Sequence, residues 1–227
     1  MRNIYTPQNN GLLFDEVTGM PTLDPVLQRT QEQLQEFEVR NYQREVLAQA
    51  RQKNIIAFLD TGTGKTLIAL LLIKETRGKS IFLAPHRHLI TQHSKAADSL
   101  DIPNIAISGE TADNWNIQRW KKILQSTNCM IMTPQIYLNS LRSGYLNISD
   151  FSLMIFDECH HCSKKHPYMN LMLEFYHPSP TKPKVLGLTA SPVIDANIDQ
   201  EEMVKSLQEL RTNLDCDFAP IDRKSVE

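Results

Sequence analysis

Residues 59–66 have the composition and the spacing of a loop that binds nucleotide phosphates. The two glycines of this segment allow backbone conformations that side chains forbid, so that several N–H groups can converge on phosphate oxygens. The lysine can reach the β and γ phosphates during phosphoryl transfer, and the hydroxyl that follows it can ligate Mg²⁺. We therefore predict a site for ATP and Mg²⁺ formed by Leu59, Asp60, Thr61, Gly62, Thr63, Gly64, Lys65 and Thr66, with Lys65 also contributing to catalysis.

The sequence on either side of this loop supports the same interpretation. The apolar segment 55–59 leads into it, and a second apolar segment, 67–73, follows it. A strand, a glycine loop and a helix in this order are the context of a P-loop, and the positive end of the helix also attracts phosphate. Leu59 stands where the consensus G-x-x-x-x-G-K-T has its first glycine. The alternative is a Gly-Lys turn without a function.

A pair of acidic residues lies farther along the chain. Asp157 and Glu158 directly follow the apolar segment 153–156, and ligands of α/β sheets bind at the carboxyl ends of strands. Asp157 is predicted to hold Mg²⁺, directly or through water. Glu158 is predicted to orient and deprotonate the attacking water. The alternative is a solvated strand end, which the P-loop upstream makes less attractive.

The residues after the acidic pair combine cysteines with histidines: Cys159, His160, His161, Cys162 and His166. Because Cys and His are good zinc ligands, a zinc site is one interpretation. No second Cys or His pair stands at the customary distance, and the first Cys and His belong to the acidic segment itself. We prefer the interpretation that His160 couples the nucleotide site to its surroundings.

Short apolar segments alternate with helix-favouring segments from residue 54 onward. The apolar segments lack strict polar alternation, so these strands should be covered on both faces. The repeated alternation of strands and helices predicts an α/β fold with a parallel sheet and right-handed crossovers. Strands are predicted at 55–59, 81–84, 105–107, 130–132, 153–156 and 185–188, and helices at 28–52, 65–76, 87–99, 134–142, 167–175 and 198–214.

Length and composition limit the organisation of the chain. Its 227 residues suffice for one large domain, which we place at 38–196, with an N-terminal arm or tail at 1–37 and an amphipathic helix and chain end at 197–227. The net charge of −2 means that any nucleic-acid surface must be a local patch. Four cysteines fit a reducing compartment, and the longest apolar segment is far shorter than the ~20 residues of a membrane span. We expect an intracellular protein, cytoplasmic or nuclear, without a membrane partner.

Together, these motifs resemble a DExH-type helicase of superfamily 2. The resemblance rests on Asp-Glu-Cys-His at 157–160 combined with the P-loop at 59–66. Residues 40–43 also resemble the adenine-reading segment, 82–92 motif Ia, 133–135 the next RNA-contacting motif and 189–192 motif III. The resemblance implies a three-layer, RecA-like P-loop NTPase domain. It further implies that Arg40 and Gln43 bind the adenine, and that Thr189 and Ser191 couple ATP to nucleic acid.

A narrower resemblance is to Dicer and Dicer-like ribonucleases, over residues 38–220. It rests on the segments 157–161, 166–168, 174–177 and 187–192. It implies double-stranded RNA as a partner and a part in the production of small RNAs. Two alternatives stay open. One is an RNA sensor of the retinoic-acid-inducible type, and the other is a truncated module that binds RNA or partner proteins without catalysis.

The helicase resemblance also implies contacts to the RNA backbone from loops at strand ends, made by Pro85, Arg87, Gly109, Thr133 and Gln135. Hydroxyl, amide and cationic groups suit phosphate and the 2′-OH. For Arg87 the alternative is a solvated helix start. Trp115 and Trp120 could stack on bases, but we prefer the interpretation that they anchor a helix on the core.

Only the first of the two RecA-like domains of such helicases is recognisable in these residues. The second domain is an expected partner, since it would supply an arginine worth about 10³–10⁵ in the rate of phosphoryl transfer. The resemblance therefore predicts that this chain alone binds ATP but hydrolyses it poorly. No ribonuclease III signature is recognisable either, so RNA cleavage is expected to reside elsewhere.

Overall fold

The computed structural model describes residues 12–14, 21–23, 39–112, 115–163, 165–191 and 199–220. The chain divides into two compact units, residues 1–40 and residues 41–227. In the first unit, strand β1 (Leu12–Phe14) pairs antiparallel with strand β2 (Pro21–Leu23). The segment that was predicted to form a tail or arm therefore contains a short hairpin.

The second unit alternates strands with helices. Its strands are β3 (Ile55–Phe58), β4 (Ser80–Leu83), β5 (Asn104–Ile107), β6 (Cys129–Met132), β7 (Leu153–Asp157), β8 (Lys184–Thr189) and β9 (Asp217–Phe218). Its α-helices are α1 (Asn41–Gln52), α2 (Lys65–Glu75), α3 (Arg87–Asp98), α4 (Gly109–Ala112), α5 (Ile117–Ser126), α6 (Pro134–Arg142), α7 (Pro167–Leu171) and α8 (Gln200–Leu214). Two 3₁₀ turns (Ile148–Asp150 and Cys159–His161) and a π-helical turn (Met172–Tyr176) complete the unit.

These seven strands form one parallel sheet in the order β5-β6-β4-β7-β8-β3-β9. In this register Asp157 lies opposite Leu188, and Phe58 lies opposite Thr189. The carboxyl ends of β4, β7, β8 and β3 are therefore neighbours. Ligands of open α/β sheets bind beyond the carboxyl ends of the strands, so this edge must carry the predicted site.

Helices cover both faces of the sheet, which is why its strands are apolar on both sides. Leu83 and Phe156 share one buried cluster with residues of α5, α6, α7 and α8. Phe82 faces the opposite side, where the ring of His93 on α3 stacks against it. Helix α2 is apolar around its circumference and is buried over residues 68–73. The predicted three-layer parallel α/β sheet is confirmed.

Several elements differ from the sequence prediction. Helix α1 begins at Asn41, after two non-helical residues, and residues 28–38 of the predicted segment lie outside the described residues. The segment 28–52 has no Gly or Pro, so its composition carries no start signal. The predicted helix 167–175 is a short α-helix continued by the π-helical turn.

Helix α4 and strand β9 were not predicted, since each is short and has few apolar residues. Helix α5 was expected only as the helix that the tryptophans anchor, without bounds, and it buries Trp120 and Ile123. In the part of the chain that the structure describes, no helix is long and apolar enough to cross a membrane.

Candidate nucleotide and nucleic-acid site

The predicted P-loop follows β3 and leads directly into α2. Gly62 and Gly64 both have a φ of +82°, a left-handed conformation that costs other residues about 1–2 kcal/mol. A Cβ at Gly64 would also collide with Nε2 of Gln43. The first N–H groups of α2 have no partner within the helix, and Gly64 has no side chain to cap them. The loop therefore directs backbone N–H groups and the positive end of a helix at one place, which fits a phosphate group.

Lys65 is folded back over this loop. Its Nζ donates a hydrogen bond of 2.9 Å to the Leu59 carbonyl, and the Thr63 hydroxyl donates one of 2.6 Å to the Asp60 carbonyl. Asp60 and Thr61 are exposed. The ammonium is thus held beside the loop by a neutral acceptor. A phosphate oxygen can replace that acceptor, because charge-assisted hydrogen bonds are the stronger ones.

Two side chains of the segment that was predicted to read the adenine donate hydrogen bonds to the P-loop. The Gln43 amide donates to the Thr63 carbonyl at 2.7 Å, and the Tyr42 hydroxyl donates to the same carbonyl at 2.6 Å. Both side chains lie on the buried face of α1. Arg40 is exposed and immediately precedes α1. Tyr42 was given no role from the sequence, although a buried tyrosine needs a partner for its hydroxyl.

The acidic pair lies at the end of β7, two strands from the P-loop. Asp157 is 7% exposed, and its Oδ1 accepts a hydrogen bond of 3.1 Å from the Glu158 N–H. Glu158 has a φ of 47° and a ψ of 50°, an unusual backbone for a glutamate. The Tyr168 hydroxyl lies 2.8 Å from the Asp157 carbonyl and 2.9 Å from the Leu83 carbonyl. The backbone that carries both acids is therefore anchored from α7.

The structure adds a residue that the sequence analysis did not select. His93 on α3 is buried, and its Nε2 lies 2.9 Å from Oδ2 of Asp157. The available signal was its position, because Ile90, His93 and Ala97 form the buried stripe of α3. A histidine at an apolar position of an amphipathic helix requires a polar partner in the core.

Thr66 and Asp157 were predicted to hold Mg²⁺. Both offer hard oxygen ligands, one in the first turn of α2 and one at the end of β7. Over the described ranges, no group of three or more His, Cys, Asp or Glu side chains could hold a metal ion. Mg²⁺ usually binds through one or two carboxylates together with waters and substrate phosphates. One hydroxyl and one carboxylate beside a phosphate loop therefore fit Mg²⁺ without a cage of protein ligands.

The residues predicted to couple ATP to nucleic acid lie in one hydrogen-bonded chain. The Thr189 hydroxyl donates to the Ser191 carbonyl at 2.6 Å and accepts from the Ser191 N–H at 3.2 Å. His160 Nδ1 lies 2.7 Å from the same hydroxyl oxygen and 3.4 Å from Oε2 of Glu158. A hydroxyl has one proton, so His160 must be the donor through Nδ1–H. The hydrogen bonds thus run from His160 through Thr189 to Ser191, and the Glu158 carboxylate lies beside His160 without a hydrogen bond to it.

The protonation state of His160 agrees with this arrangement. Burial, assisted by the neighbouring His161, lowers the pKa of His160 to about 4. The ring is therefore neutral at neutral pH, with its proton on Nδ1 and an acceptor at Nε2. The Thr189 carbonyl, in turn, accepts a hydrogen bond of 3.0 Å from the Leu59 N–H at the start of the P-loop. The coupling residues consequently touch both the acidic pair and the P-loop.

The cysteines of this region are packed in the core, and His166 caps a helix. Cys159 and Cys162 are buried, and burial raises the pKa of the Cys162 thiol to about 12. Since the thiolate is the form that binds zinc, this environment opposes the zinc interpretation. His166 Nδ1 accepts from the Tyr168 N–H and caps α7, and burial lowers the pKa of His166 to about 4.

The predicted RNA contacts lie after β4, β5 and β6, which are neighbours in the sheet. Arg87 is the first residue of α3, and its Nη1 lies 3.1 Å from Oε1 of Glu110. A Cβ at Gly109 would lie 3.3 Å from Nη2 of Arg87. The structure therefore brings Arg87 and Gly109 together, and it pairs Arg87 with the exposed carboxylate of Glu110.

The remaining RNA candidates are at helix starts or half-buried. Thr133 caps α6 by accepting a hydrogen bond from the Ile136 N–H. Gln135 is exposed, and its amide donates to Oδ1 of Asn139 at 2.8 Å. Pro85 is half-buried.

Trp120 lies on the buried side of α5, and Trp115 lies just before this helix. Trp120 is buried, and Trp115 meets it edge-on with ring centroids 5.0 Å apart. This arrangement favours the anchoring interpretation over base stacking.

Comparison with known proteins shows the family of this chain. Residues 40–199 match the model of the DEAD/DEAH box helicase family. Endoribonuclease Dicer homolog 1 of Arabidopsis thaliana is 39% identical over 211 residues, which are 86% of this chain and 11% of that protein. Dicer-like protein 2 of Cryphonectria parasitica is 39% identical over 193 residues, or 79% of this chain and 13% of that protein.

A solved structure gives the same result for the fold. The helicase domain of Hef from Pyrococcus furiosus matches with a TM-score of 0.67 and 25% identity, over 85% of this chain and 40% of that chain. The predicted RecA-like architecture is thereby confirmed. The chain spans 11% and 13% of the two curated relatives. It belongs to the DEAD/DEAH box helicase family, and it is similar to the helicase portion of Dicer and Dicer-like proteins.

Proposed function

We propose that this chain binds ATP with Mg²⁺ at the carboxyl edge of its sheet and engages double-stranded RNA beside it. We further propose that it does so as the helicase domain of a Dicer-like endoribonuclease that produces small RNAs. One observation carries the proposal. Strand order β7-β8-β3 brings the acidic pair, the coupling residues and the P-loop to adjoining strand ends. The curated relatives with "endoribonuclease" and "Dicer" in their names support the wider role.

In this proposal the P-loop backbone and Lys65 hold the phosphates, while Gln43 and Arg40 contact the adenine. Thr66 and Asp157 would hold Mg²⁺, which when bound neutralises developing charge on the transferred phosphoryl group. Glu158 would orient the attacking water and accept its proton. Any contact from a second RecA-like domain would complete the catalytic set.

The proposed link to RNA runs through the bonds already described. A change at the nucleotide alters the surroundings of Glu158, and His160 passes that change to Thr189 and Ser191. The loops after β4, β5 and β6 then contact the backbone of the duplex with Arg87, Gly109, Thr133, Gln135 and Pro85. Such contacts position a protein on RNA without reading its sequence.

Nucleotide titration tests the first half of the proposal. We expect a fluorescent ATP analogue to bind the unmodified chain at a single site in the presence of Mg²⁺ and to be displaced by unlabelled ATP. Thr66→Val removes the hydroxyl at nearly constant volume, so its affinity in Mg²⁺ should fall toward the affinity measured in EDTA. Thr212→Val, on the exposed side of α8, is the matched control. The absence of displaceable binding at millimolar nucleotide would refute the proposal.

The second half of the proposal, the engagement of RNA, predicts that two substitutions in the Arg87–Glu110 ion pair change the RNA affinity in opposite directions. Glu110 competes with RNA phosphate for Arg87, and both side chains are mostly exposed. Exposed pairs contribute about 0.2–1 kcal/mol, so Glu110→Gln should tighten duplex binding by a factor of about 1.4–5. Arg87→Ala should weaken it and lower the salt dependence by about one counterion.

These affinities can be measured by fluorescence anisotropy with a labelled RNA duplex at several salt concentrations. Glu209→Gln, which removes an exposed carboxylate on α8, controls for net charge. If Glu209→Gln tightens binding as much as Glu110→Gln does, the change in net charge explains the effect, and the assignment of an RNA contact to Arg87 is wrong.

A further inference from the structure

His93 has one hydrogen-bonding contact, and that contact is to a residue of the proposed metal site. The side chain is 3% exposed, and its Nε2 lies 2.9 Å from Oδ2 of Asp157. Its ring stacks on Phe82 with centroids 4.5 Å apart and an interplanar angle of 14°. The imidazole is therefore fixed between the sheet and α3, and its edge is directed at the carboxylate.

The chemistry of the two groups sets the direction of this bond. An ionised carboxylate only accepts hydrogen bonds, so Nε2–H of His93 donates to Asp157. The other ring nitrogen, Nδ1, is buried and has no hydrogen-bond partner within the described residues. An unsatisfied buried nitrogen costs about 1–3 kcal/mol. A histidine that served only for packing would carry this cost without any benefit. A histidine that orients Asp157 offsets the cost through the hydrogen bond it donates.

The carboxylate of Asp157 is held on both sides. Oδ2 faces His93, and Oδ1 accepts the Glu158 N–H at 3.1 Å. Its backbone carbonyl is held by Tyr168. The side-chain torsions of Asp157 are thus determined by partners on α3 and in its own loop, which leaves the remaining lone pairs in one fixed direction.

We propose that His93 is a positioning residue that orients Asp157 for binding Mg²⁺. The inference rests on the proposed function, in which Asp157 is a metal ligand. Hydrogen bonds to a ligating carboxylate fix its orientation, and removing such a partner typically costs 10–100-fold in metal affinity. His93 acts through Asp157 and touches neither nucleotide nor metal.

The test compares variants that keep or remove the donor. His93→Phe keeps a ring that can stack on Phe82 but removes the N–H, and it is expected to weaken metal binding about 10–100-fold. His93→Gln restores an N–H donor on a flexible chain and should recover most of the affinity. His177→Phe is the matched control, because His177 bonds the Asn213 carbonyl of α8 and makes no hydrogen bond to Asp157 within the described residues.

Binding is measured with Mn²⁺ as the probe, by loss of the electron paramagnetic resonance signal of free Mn²⁺ in the presence of ADP. The full chain is used throughout. ADP affinity in EDTA is measured in parallel and should be the same in the His93 variants as in the parent. If His93→Phe does not fold, His93→Met replaces it as a donor-free variant with an adaptable apolar side chain.

Asp157→Asn separates the inference from the proposed function. If Asp157→Asn loses Mn²⁺ and His93→Phe binds it as the parent does, the positioning role is wrong while the metal site stands. If Asp157→Asn binds Mn²⁺ normally, the metal site itself is wrong. A fall in metal-free ADP affinity together with Mn²⁺ affinity in His93→Phe, without rescue in His93→Gln, would show a merely structural residue and overturn the inference.

Discussion

Replacement of Lys65 by alanine is expected to weaken ATP binding by about 10- to 150-fold, because hydrogen bonds to charged groups contribute about 1.5–3 kcal/mol. The ammonium lies over the P-loop, where it now donates to the Leu59 carbonyl. With alanine, the β and γ phosphates keep the N–H groups of the loop but lose their cation. The affinity can be read from displacement of a fluorescent ATP analogue in Mg²⁺.

Stability should change little in this variant, since Lys65 is only half-buried and its bond to Leu59 is to a neutral loop carbonyl. Thermal unfolding without nucleotide should therefore coincide with that of the parent, whereas the rise in Tm on adding ATP should largely disappear. Lys95→Ala, which removes an exposed lysine of α3, is the matched control. If Lys65→Ala and the parent bind ATP alike, the chain has no P-loop site and a non-catalytic binding module becomes the better interpretation.

Replacement of Gly187 by alanine is expected to destabilise the second unit by about 1–3 kcal/mol, the usual cost of overpacking a core. A Cβ at this position of β8 would lie 3.0 Å from Sγ of Cys159 and 3.2 Å from Cγ1 of Ile56. Both neighbours are fully buried, so a shift of either side chain would disturb the packing around it. Urea unfolding should show the loss directly, and Tm should fall by about 2–4 °C for each kcal/mol.

Gly109→Ala is the control for this effect. Its Cβ would meet only the flexible end of Arg87, so the free energy of unfolding should stay within about 0.5 kcal/mol of the parent. Equal urea midpoints for Gly187→Ala and the parent would contradict the close approach of β8 to the acidic segment. A parallel loss of ATP affinity in Gly187→Ala would show that this approach also sets the position of Glu158.

The sheet was predictable from sequence because each strand is marked by a local apolar segment, and this pattern recurs along the chain. Segments such as 55–59 and 153–156 are apolar on every residue, which few structures other than a doubly covered strand allow. The P-loop and the acidic pair follow such strands directly, so their meeting at one edge followed from the parallel topology. The family resemblance then supplied the coupling residues, which the structure places in one hydrogen-bonded chain.

The parts that were missed depend on contacts between distant segments. His93 meets Asp157 across 64 residues of sequence, and Tyr42 meets Thr63 across 21. No sequence signal near His93 or Tyr42 indicates which residue its side chain contacts. The pairing of Arg87 with Glu110 is similar, because the two residues are 23 positions apart in the sequence. The roles assigned to the site residues stay predictions until binding is measured.

The hydroxyl of Thr189 has a consequence for how the site can signal. It donates once and accepts twice, which uses all its hydrogen-bonding capacity. These three hydrogen bonds cannot weaken gradually together, since rotating the Thr189 hydroxyl toward one partner breaks its bond to another. His160 and Ser191 are half-buried, and leaving such a group without its hydrogen bond costs free energy, so intermediate arrangements are disfavoured. In the proposed function, the coupling between nucleotide and RNA through Thr189 is therefore expected to switch between a bonded and a released arrangement.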